Sequence, residues 1–336
     1  MIGNHPFVPD ISIIICTHNP RPAYLRRTLD ALQAQSLARE RCELLLIDNA
    51  STERLADNWD LTWHPNARHV REDQPGLTPA RLRGIKESKG DLLVFVDDDN
   101  LLAPDFLEQA ITIAMDYSYL GAFGAGILEP KFEKEPAPEL APHLWRLALR
   151  QIPTARWSNN TEDFDSVPWG AGLCVRRRVA ETYRQLIDQL DITKLLDRRG
   201  EQLFAGGDDV FSWAAVCTGQ GFGVFPGLRV THLIYPERLS QKYFLRLIHD
   251  HAFSHGVLDY LRAGMQVRSF GLPQYVRLLI HGIKHGRFAM QCQWVAARGR
   301  NRAARFITEH RLKPFPSRPS PGLSTHNENT VCQHHG

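Results

Sequence analysis

The stretch Leu92-Leu93-Val94-Phe95-Val96-Asp97-Asp98-Asp99-Asn100 decides the fold. Five apolar residues run straight into three carboxylates. The run Leu92–Val96 reads as a strand buried on both faces, the pattern of a sheet covered by helices on either side. The aspartates then lie just past the carboxyl end of that strand, where open α/β sheets place their ligands. Three adjacent carboxylates repel one another, so the cluster needs a cation, hydrogen-bond donors or full solvation. A hard divalent ion chelating a diphosphate meets that need best. The competing reading is a solvated acidic turn ahead of the helix that Pro104 opens.

The same grammar recurs on the N-terminal side. Residues 1–10 read as a loose leader. Ile11–Cys16 is a second buried strand, followed at once by Thr17-His18-Asn19-Pro20. Pro22 with Leu25, Leu29 and Leu32 gives a helix. Glu43–Ile47 is a further strand, ending in Asp48-Asn49-Ala50-Ser51-Thr52. Strand, helix and strand within so short a span form a βαβ unit, so the two strands should be parallel. Arg68–Val70 suggests a short strand. Gly76-Leu77-Thr78-Pro79 opens a helix, with Thr78 expected as N-cap and Pro79 in the first helical position.

Beyond Asn100 the pattern predicts a helix to about Met115 and a glycine-rich strand over Leu120–Leu128. An irregular stretch rich in proline (Pro130, Pro136, Pro138, Pro142, Pro153, Pro168) should contain one helix near Leu144–Leu149. Trp169–Arg176 reads as a tight strand after a turn. Gly206-Gly207-Asp208-Asp209 opens a helix ending near Gly219. Two short strands, Gly221–Phe225 and Leu228–Thr231, lead to His232. From Arg238 the texture becomes basic and amphipathic, with helices expected over about 239–263, 273–285 and 288–308, and no order over 314–336.

Composition bounds the function. The 336 residues are 43% hydrophobic and 23% charged, an ordinary globular mixture with a core to bury. No apolar run approaches a membrane span and no signal peptide precedes Ile11, so a cytoplasmic location is expected. Cys16, Cys42, Cys174, Cys217, Cys292 and Cys332 are scattered, which suits reduced thiols and neither a disulfide framework nor a zinc site. Residues 236–336 carry 15 Lys and Arg against 5 Asp and Glu, leaving 25 against 32 for the rest. An acidic body therefore carries a basic C-terminal region.

Taken in order, Thr17-His18-Asn19, Ile47-Asp48-Asn49-Ala50-Ser51, Gly76-x-x-x-Ala80-Arg81, Val96-Asp97-Asp98-Asp99, Gly170-Ala171-Gly172 with Arg176-Arg177, Gly207-Asp208-Asp209 and His232 resemble family 2 glycosyltransferases. The resemblance covers roughly residues 10–260. It implies the GT-A fold, a doubly wound and mostly parallel α/β sheet flanked by helices, here with a C-terminal helical appendage. Residues 10–128 would form the nucleotide-sugar half, 129–235 the acceptor half, 236–313 the appendage and 314–336 a tail.

The resemblance also implies roles. Asp97 would contact the ribose or a metal-bound water, and Asp99 would ligate Mn2+ or Mg2+, which bridges the donor diphosphate. Asp98 stands with them on the donor side, and His232 would complete the metal shell. Thr17 and Asp48 would line the base and ribose pocket, and Arg81 would pair with base or diphosphate. Asp209 matches the general base that takes the proton of an acceptor hydroxyl, with Asp208 positioning the acceptor. The activity implied is inverting transfer of one sugar from a nucleotide-sugar, a UDP-sugar first, to a glycan or lipid-linked acceptor in cell-surface polysaccharide synthesis.

Plainer roles stand beside these. Asp208 and Asp209 could cap their helix, Asp48 could form an Asx turn, His232 could be an ordinary turn residue, and Arg81 could face solvent. Two departures matter. Arg83 stands where the family often has Asn, and the Gln-x-x-Arg-Trp signature of processive synthases is missing after Gly219. The basic helices could contact an anionic membrane surface from the inner face or simply pack on the catalytic body. Nucleic acid is not an expected partner, because no aromatic–basic module is present and such binding leaves the aspartates unexplained. A catalytically inactive, sugar-binding scaffold of the same fold is the alternative that the intact Asp97, Asp99 and Asp209 argue against.

Overall fold

A computed structural model of the protein describes residues 8–190, 206–267, 270–271 and 286–314. Strand β1 (Ile11–Thr17) is followed by α1 (Pro22–Gln33), β2 (Cys42–Asn49), the single turn α2 (Leu55–Asn58) and β3 (Ala67–Glu72). Helix α3 (Leu77–Glu87) returns the chain to β4 (Leu92–Val96), the strand that ends in the aspartates. Then come β5 (Asn100–Leu102), α4 (Phe106–Asp116) and the long β6 (Leu120–Phe132). Short β7 (Arg150–Gln151) and β8 (Arg156–Ser158) precede β9 (Leu173–Arg176) and α5 (Arg177–Leu190). Helix α6 (Gly207–Cys217), β10 (Gly221–Ile234), α7 (Gln241–Ala263) and α8 (Arg287–Glu309) follow.

One sheet runs in the order β3-β2-β1-β4-β9-β6-β10-β5, and off this path β7 pairs with β6 and β8 with β10. The first four strands are parallel. Strand β9 inserts antiparallel between β4 and β6, and β6 and β10 pair in parallel, so the whole sheet is mixed. Residue 128, the expected division between halves, falls inside β6, so a single sheet carries both.

Strand periodicity sorts the core into two layers. Ile14, Leu45, Ile47, Leu93 and Phe95 face one side, where they pack with Ile85 of α3, Tyr183 of α5 and Phe211 of α6. Ile13, Ile15, Leu44, Leu46, Val94 and Val96 face the other, against Leu25 and Leu29 of α1 and Phe106 of α4. Successive strand residues point to opposite faces, and both faces are covered, which is why these strands read as unbroken apolar runs.

Three local expectations are corrected. Thr78 is not the cap of α3: the helix begins at Leu77 and Gly76 is its cap, with a φ of 135° that favours glycine. Asn49 Oδ1 accepts from Gly76 N at 2.8 Å, so a side chain of the β2 loop satisfies the helix entry. The expected pair of strands before His232 is one strand, β10, broken in register between Phe225 and Arg229 where Pro226-Gly227 forms a bulge. The expected helix near Leu144 is a 3-10 segment, Pro138–Leu147, with Pro142 inside it. The helix expected over 273–285 and the tail beyond Pro314 lie outside the described residues.

The C-terminal helices close over the α5–α6 face. Phe253, Val257, Leu258 and Leu261 of α7, with Ala303 and Ile307 of α8, belong to the same buried cluster as Val210 and Phe211. The two helices approach until a Cβ on Gly299 would lie 2.3 Å from the His249 carbonyl oxygen, so only glycine permits the crossing. Cys16, Cys42, Cys174, Cys217 and Cys292 are free thiols. Among the described residues no helix is long and apolar enough to cross a membrane.

Because Phe253 is 1% exposed inside the common core, Phe253→Ala should cost about 3–4 kcal/mol. Chemical denaturation followed by far-UV and near-UV signals should show that loss in one shared transition. Loss confined to a separate, early transition would mean that α7 and α8 fold apart from the sheet.

Candidate active site

Strand register gathers the polar residues at one rim. In the parallel β1–β4 ladder Ile15 lies opposite Val96, so the chain beyond each strand places Asp98 beside Thr17. The Thr17 hydroxyl donates to Asp98 Oδ2 in a short contact, and Thr28 of α1 donates to the Asp98 carbonyl at 3.0 Å. Burial, then the neighbouring Asp99 charge, pushes the Asp98 carboxyl up to about 7, with the Thr17 bond working the other way. Asp98 therefore ties the aspartate turn to β1 and α1.

Asp48, the last residue but one of β2, lies opposite Arg71 of β3. Arg71 Nη1 donates to its Oδ2 at 2.7 Å, and the Ser51 and Leu55 amides donate at 3.0 and 3.2 Å. Burial alone would raise this carboxyl. The Arg71, Ser51 and Leu55 hydrogen bonds outweigh it and hold the group below the ordinary carboxylate range. Asp48 thus forms the turn that was its plainer reading and also presents a fixed negative charge at the rim. The loops are stitched laterally: Asn19 N donates to Ser51 Oγ, Thr52 N to Asn19 Oδ1, both at 2.9 Å, and Asn49 Nδ2 to the Gln74 carbonyl at 2.7 Å.

Arg81 and Asp208 meet across the molecule. Arg81 is buried on α3, and its Nη1 donates to Asp208 Oδ1 at 2.7 Å. Asp208 Oδ2 accepts from the Gly170 amide at 2.8 Å. Burial opposes the Arg81 charge, but Asp208, Tyr183 and Asp97 more than restore it. The structure therefore gives Arg81 a protein partner where the resemblance implied a base or diphosphate, and it excludes the solvated reading. Neither Asp208 nor Asp209 caps α6, whose cap is Gly206. Asp208 is instead the clasp joining α6, α3 and the Gly170 turn.

Asp209 follows that clasp and has no ion pair among the described residues. Burial, then Asp208, pushes its carboxyl up to about 7, against the pull of Arg262 on α7. A carboxylate poised near neutral pH can take a proton and release it again.

His232 is placed by the antiparallel β5–β10 ladder, where it lies opposite Asn100, next to Asp99. Its Nε2 sits 3.1 Å from Asp99 Oδ2. Both atoms are also 3.0 Å from Arg238 Nη1. Arg238, in the 3-10 turn Pro236–Leu239 between β10 and α7, was not singled out from the sequence. Its one signal there is its place six residues beyond His232, which the basic run that follows conceals. Arg71 was likewise missed, although it stands in register with Asp48.

The donor set can be tested against a metal. Two carboxylates and an imidazole suit Mn2+ or Mg2+. Adjacent ligands of a small octahedral cation at about 2.1 Å stand about 3.0 Å apart, and Asp99 Oδ2 and His232 Nε2 stand at 3.1 Å. His232 Nδ1 is buried without a hydrogen-bond partner, which leaves the other nitrogen to make the contacts. Among the described residues no three metal-ligating side chains converge as they stand; an arginine faces the Asp99–His232 pair. The residues fit the ion once that arginine withdraws.

Residues 12–171 match the profile of Glycosyl transferase family 2. That segment, a little under half of the chain, is similar to the family. Among its relatives, the glycosyltransferase AglE of Haloferax volcanii is 27% identical over 108 residues, covering 31% of this chain and 35% of the relative. Polypeptide N-acetylgalactosaminyltransferase 8 of Drosophila melanogaster is 32% identical over 108 residues, covering 31% and 18%. The matched segment is thus about a third or less of these relatives. A mannosyltransferase from Pyrobaculum calidifontis, solved with GDP-Man and Mn2+, aligns with a TM-score of 0.50 at 17% identity over 90% of this chain and 76% of that one. The fold is the GT-A fold, a mixed central sheet flanked by helices, and it carries the C-terminal helices that the resemblance implied.

Two predictions follow from the clasp and its neighbour. Asp208→Asn leaves buried Arg81 without its counter-charge and should cost about 3 kcal/mol in denaturant unfolding, as broken buried pairs do. Asp209 binds its proton more tightly folded than unfolded, so stability falls as pH rises from about 4 to about 7 and stays lower above. Asp209→Asn should therefore raise the melting midpoint at pH 8 by about 2–4 °C and leave it unchanged at pH 4. A lower midpoint at pH 8 would contradict the raised carboxyl.

Proposed function

We propose that this protein transfers one sugar, with inversion, from a nucleotide-sugar to an acceptor hydroxyl. The single observation that carries the reading is that Asp208 and Asp97 both act on buried Arg81, which links the aspartate turn, where Asp99 meets His232, to the start of α6 that carries Asp208 and Asp209. Following the resemblance, the donor is taken to be a UDP-sugar. The Pyrobaculum neighbour, with GDP-Man and Mn2+ in its title, makes GDP-sugars the first competitors.

Asp97, Asp99 and His232 would hold Mn2+ or Mg2+, which when bound supplies Lewis-acid charge to the departing diphosphate. Asp48, held ionised by Arg71, and Thr17 line the base and ribose side. Asp98 fixes the aspartate turn through Thr17 and Thr28. Arg81 binds Asp208, so that Asp209 is fixed at the acceptor side. The acceptor oxygen forms its bond to the anomeric carbon as the bond from that carbon to the diphosphate oxygen breaks. Asp209 takes the hydroxyl proton, and the nucleoside diphosphate leaves with the bonding electrons.

The acceptor is proposed to be a glycan or a lipid-linked saccharide of cell-surface polysaccharide synthesis. Arg287, Arg298 and Arg305 are exposed along α8, with Trp294 39% exposed between them. A basic row with an aromatic suits peripheral contact with an anionic membrane surface, where a lipid-linked acceptor would be met.

A panel of UDP- and GDP-sugars with Mn2+ or Mg2+, read as nucleoside diphosphate release, tests the activity. One donor should be turned over. Asp99→Asn should lower kcat/KM by about 10³-fold or more, and Asp209→Asn should lower kcat by a similar factor with donor binding intact. The wild-type kcat should climb as pH rises through about 7, where the Asp209 carboxyl loses its proton. Normal turnover by Asp209→Asn would overturn the assignment of the base.

A further inference from the structure

Arg238 is 12% exposed and Asp99 is 17% exposed, so the ion pair at 3.0 Å between them is largely withdrawn from water. The guanidinium has only N–H groups to offer. Its contact with His232 Nε2, also 3.0 Å, is a hydrogen bond only when that nitrogen presents its lone pair. Asp99 Oδ2 and His232 Nε2 then turn two lone pairs toward one cationic centre. That is the arrangement of a cation site, with an N–H group standing where a metal would.

The segment that delivers Arg238 is anchored to the donor side of the rim. Arg21, at the start of α1, stacks on Tyr235 at 3.8 Å and pairs with Glu237 at 3.1 Å. Tyr235 and Tyr243 flank the Arg238 guanidinium, each ring centre 5.9 Å away. Arg238 Nε is buried without a hydrogen-bond partner. Its Nη1 lies 3.0 Å from both Asp99 Oδ2 and His232 Nε2.

We propose that Arg238 is a built-in competitor of the divalent cation: it occupies Asp99 and His232 and must be displaced before those residues hold a metal. The inference rests on the metal reading given above. It explains how carboxylates crowded at the rim are tolerated before any metal arrives. It also couples metal to donor: a diphosphate arriving with the ion offers negative charge to the displaced guanidinium, so the metal binds better with nucleoside diphosphate than alone.

The test is Mn2+ binding to the full chain, read from the electron paramagnetic resonance signal of free Mn2+, alone and with UDP. Wild type should bind Mn2+ alone weakly. Arg238→Met and Arg238→Gln should bind it about tenfold or more tightly, the gain expected when a competing buried ion pair is removed. Arg238→Lys, which keeps the charge, should stay near wild type. The enhancement of Mn2+ binding by UDP should shrink in the Met and Gln variants, and adding Asp99→Asn should abolish their binding. If wild-type binding depends on Asp99 but the Met and Gln variants gain nothing, the competitor role is overturned and the metal site stands. If no variant binds Mn2+ even with UDP, the metal reading falls and the competitor role with it.

Discussion

Like charges crowded at the edge of a low-dielectric sheet are the constraint on which this structure turns. Asp48 and the Asp97–Asp99 run are brought to one rim by parallel strand ends, and the Asp208–Asp209 pair at the start of α6 is tied to it through Arg81 and the Gly170 turn. Each group is offset by an arginine from another element: Arg71 for Asp48, Arg238 for Asp99 and Arg81 for Asp208. A buried ion pair adds little net stability, but removing one partner leaves a buried charge uncompensated. The arginines therefore act mainly to make the acidic rim tolerable and to fix its geometry. Asp98 and Asp209 are the exceptions, with their proton affinity raised chiefly by burial.

The fold serves this arrangement by layering. Apolar residues alternate between two faces of the strands, and helices cover both, so the strand ends are held rigidly while their loops remain free to carry polar groups. Helix α7 contributes at both ends. The turn that leads into it presents Arg238 to Asp99, and Arg262 near its last turn acts on Asp209 while bonding the Thr161 carbonyl at 2.7 Å. Helix α7 is thus part of the site's electrostatics as well as of the buried core.

The strands, the parallel βαβ start and the rim aspartates were legible from the residues alone, because a doubly buried strand ending in carboxylates has few other readings. Asp48 and Asp208 were legible as residues but not as partners. Strand register sets Arg71 against Asp48, and the spatial meeting of α3 with α6 sets Arg81 against Asp208; neither is a short-range pattern. Arg238 was hidden for the same reason, since its meaning depends on β5 pairing antiparallel with β10. Pro226-Gly227 looked like a strand boundary but is a bulge, because β6 continues beside it and supplies the ladder on both sides. Thr78 failed as a cap because Gly76, with its positive φ, starts the helix sooner.

The central claim is that carboxylates at this rim exist to hold a cation that grips a pyrophosphate. The most direct measurement is the anomalous scattering of Mn2+ in crystals soaked with Mn2+ and a nucleoside diphosphate. The account predicts a peak bonded to Asp99 Oδ2 and His232 Nε2, with the Arg238 guanidinium moved off both atoms. Diphosphate bound at the rim with no peak there, and Arg238 still seated between Asp99 and His232, would contradict it.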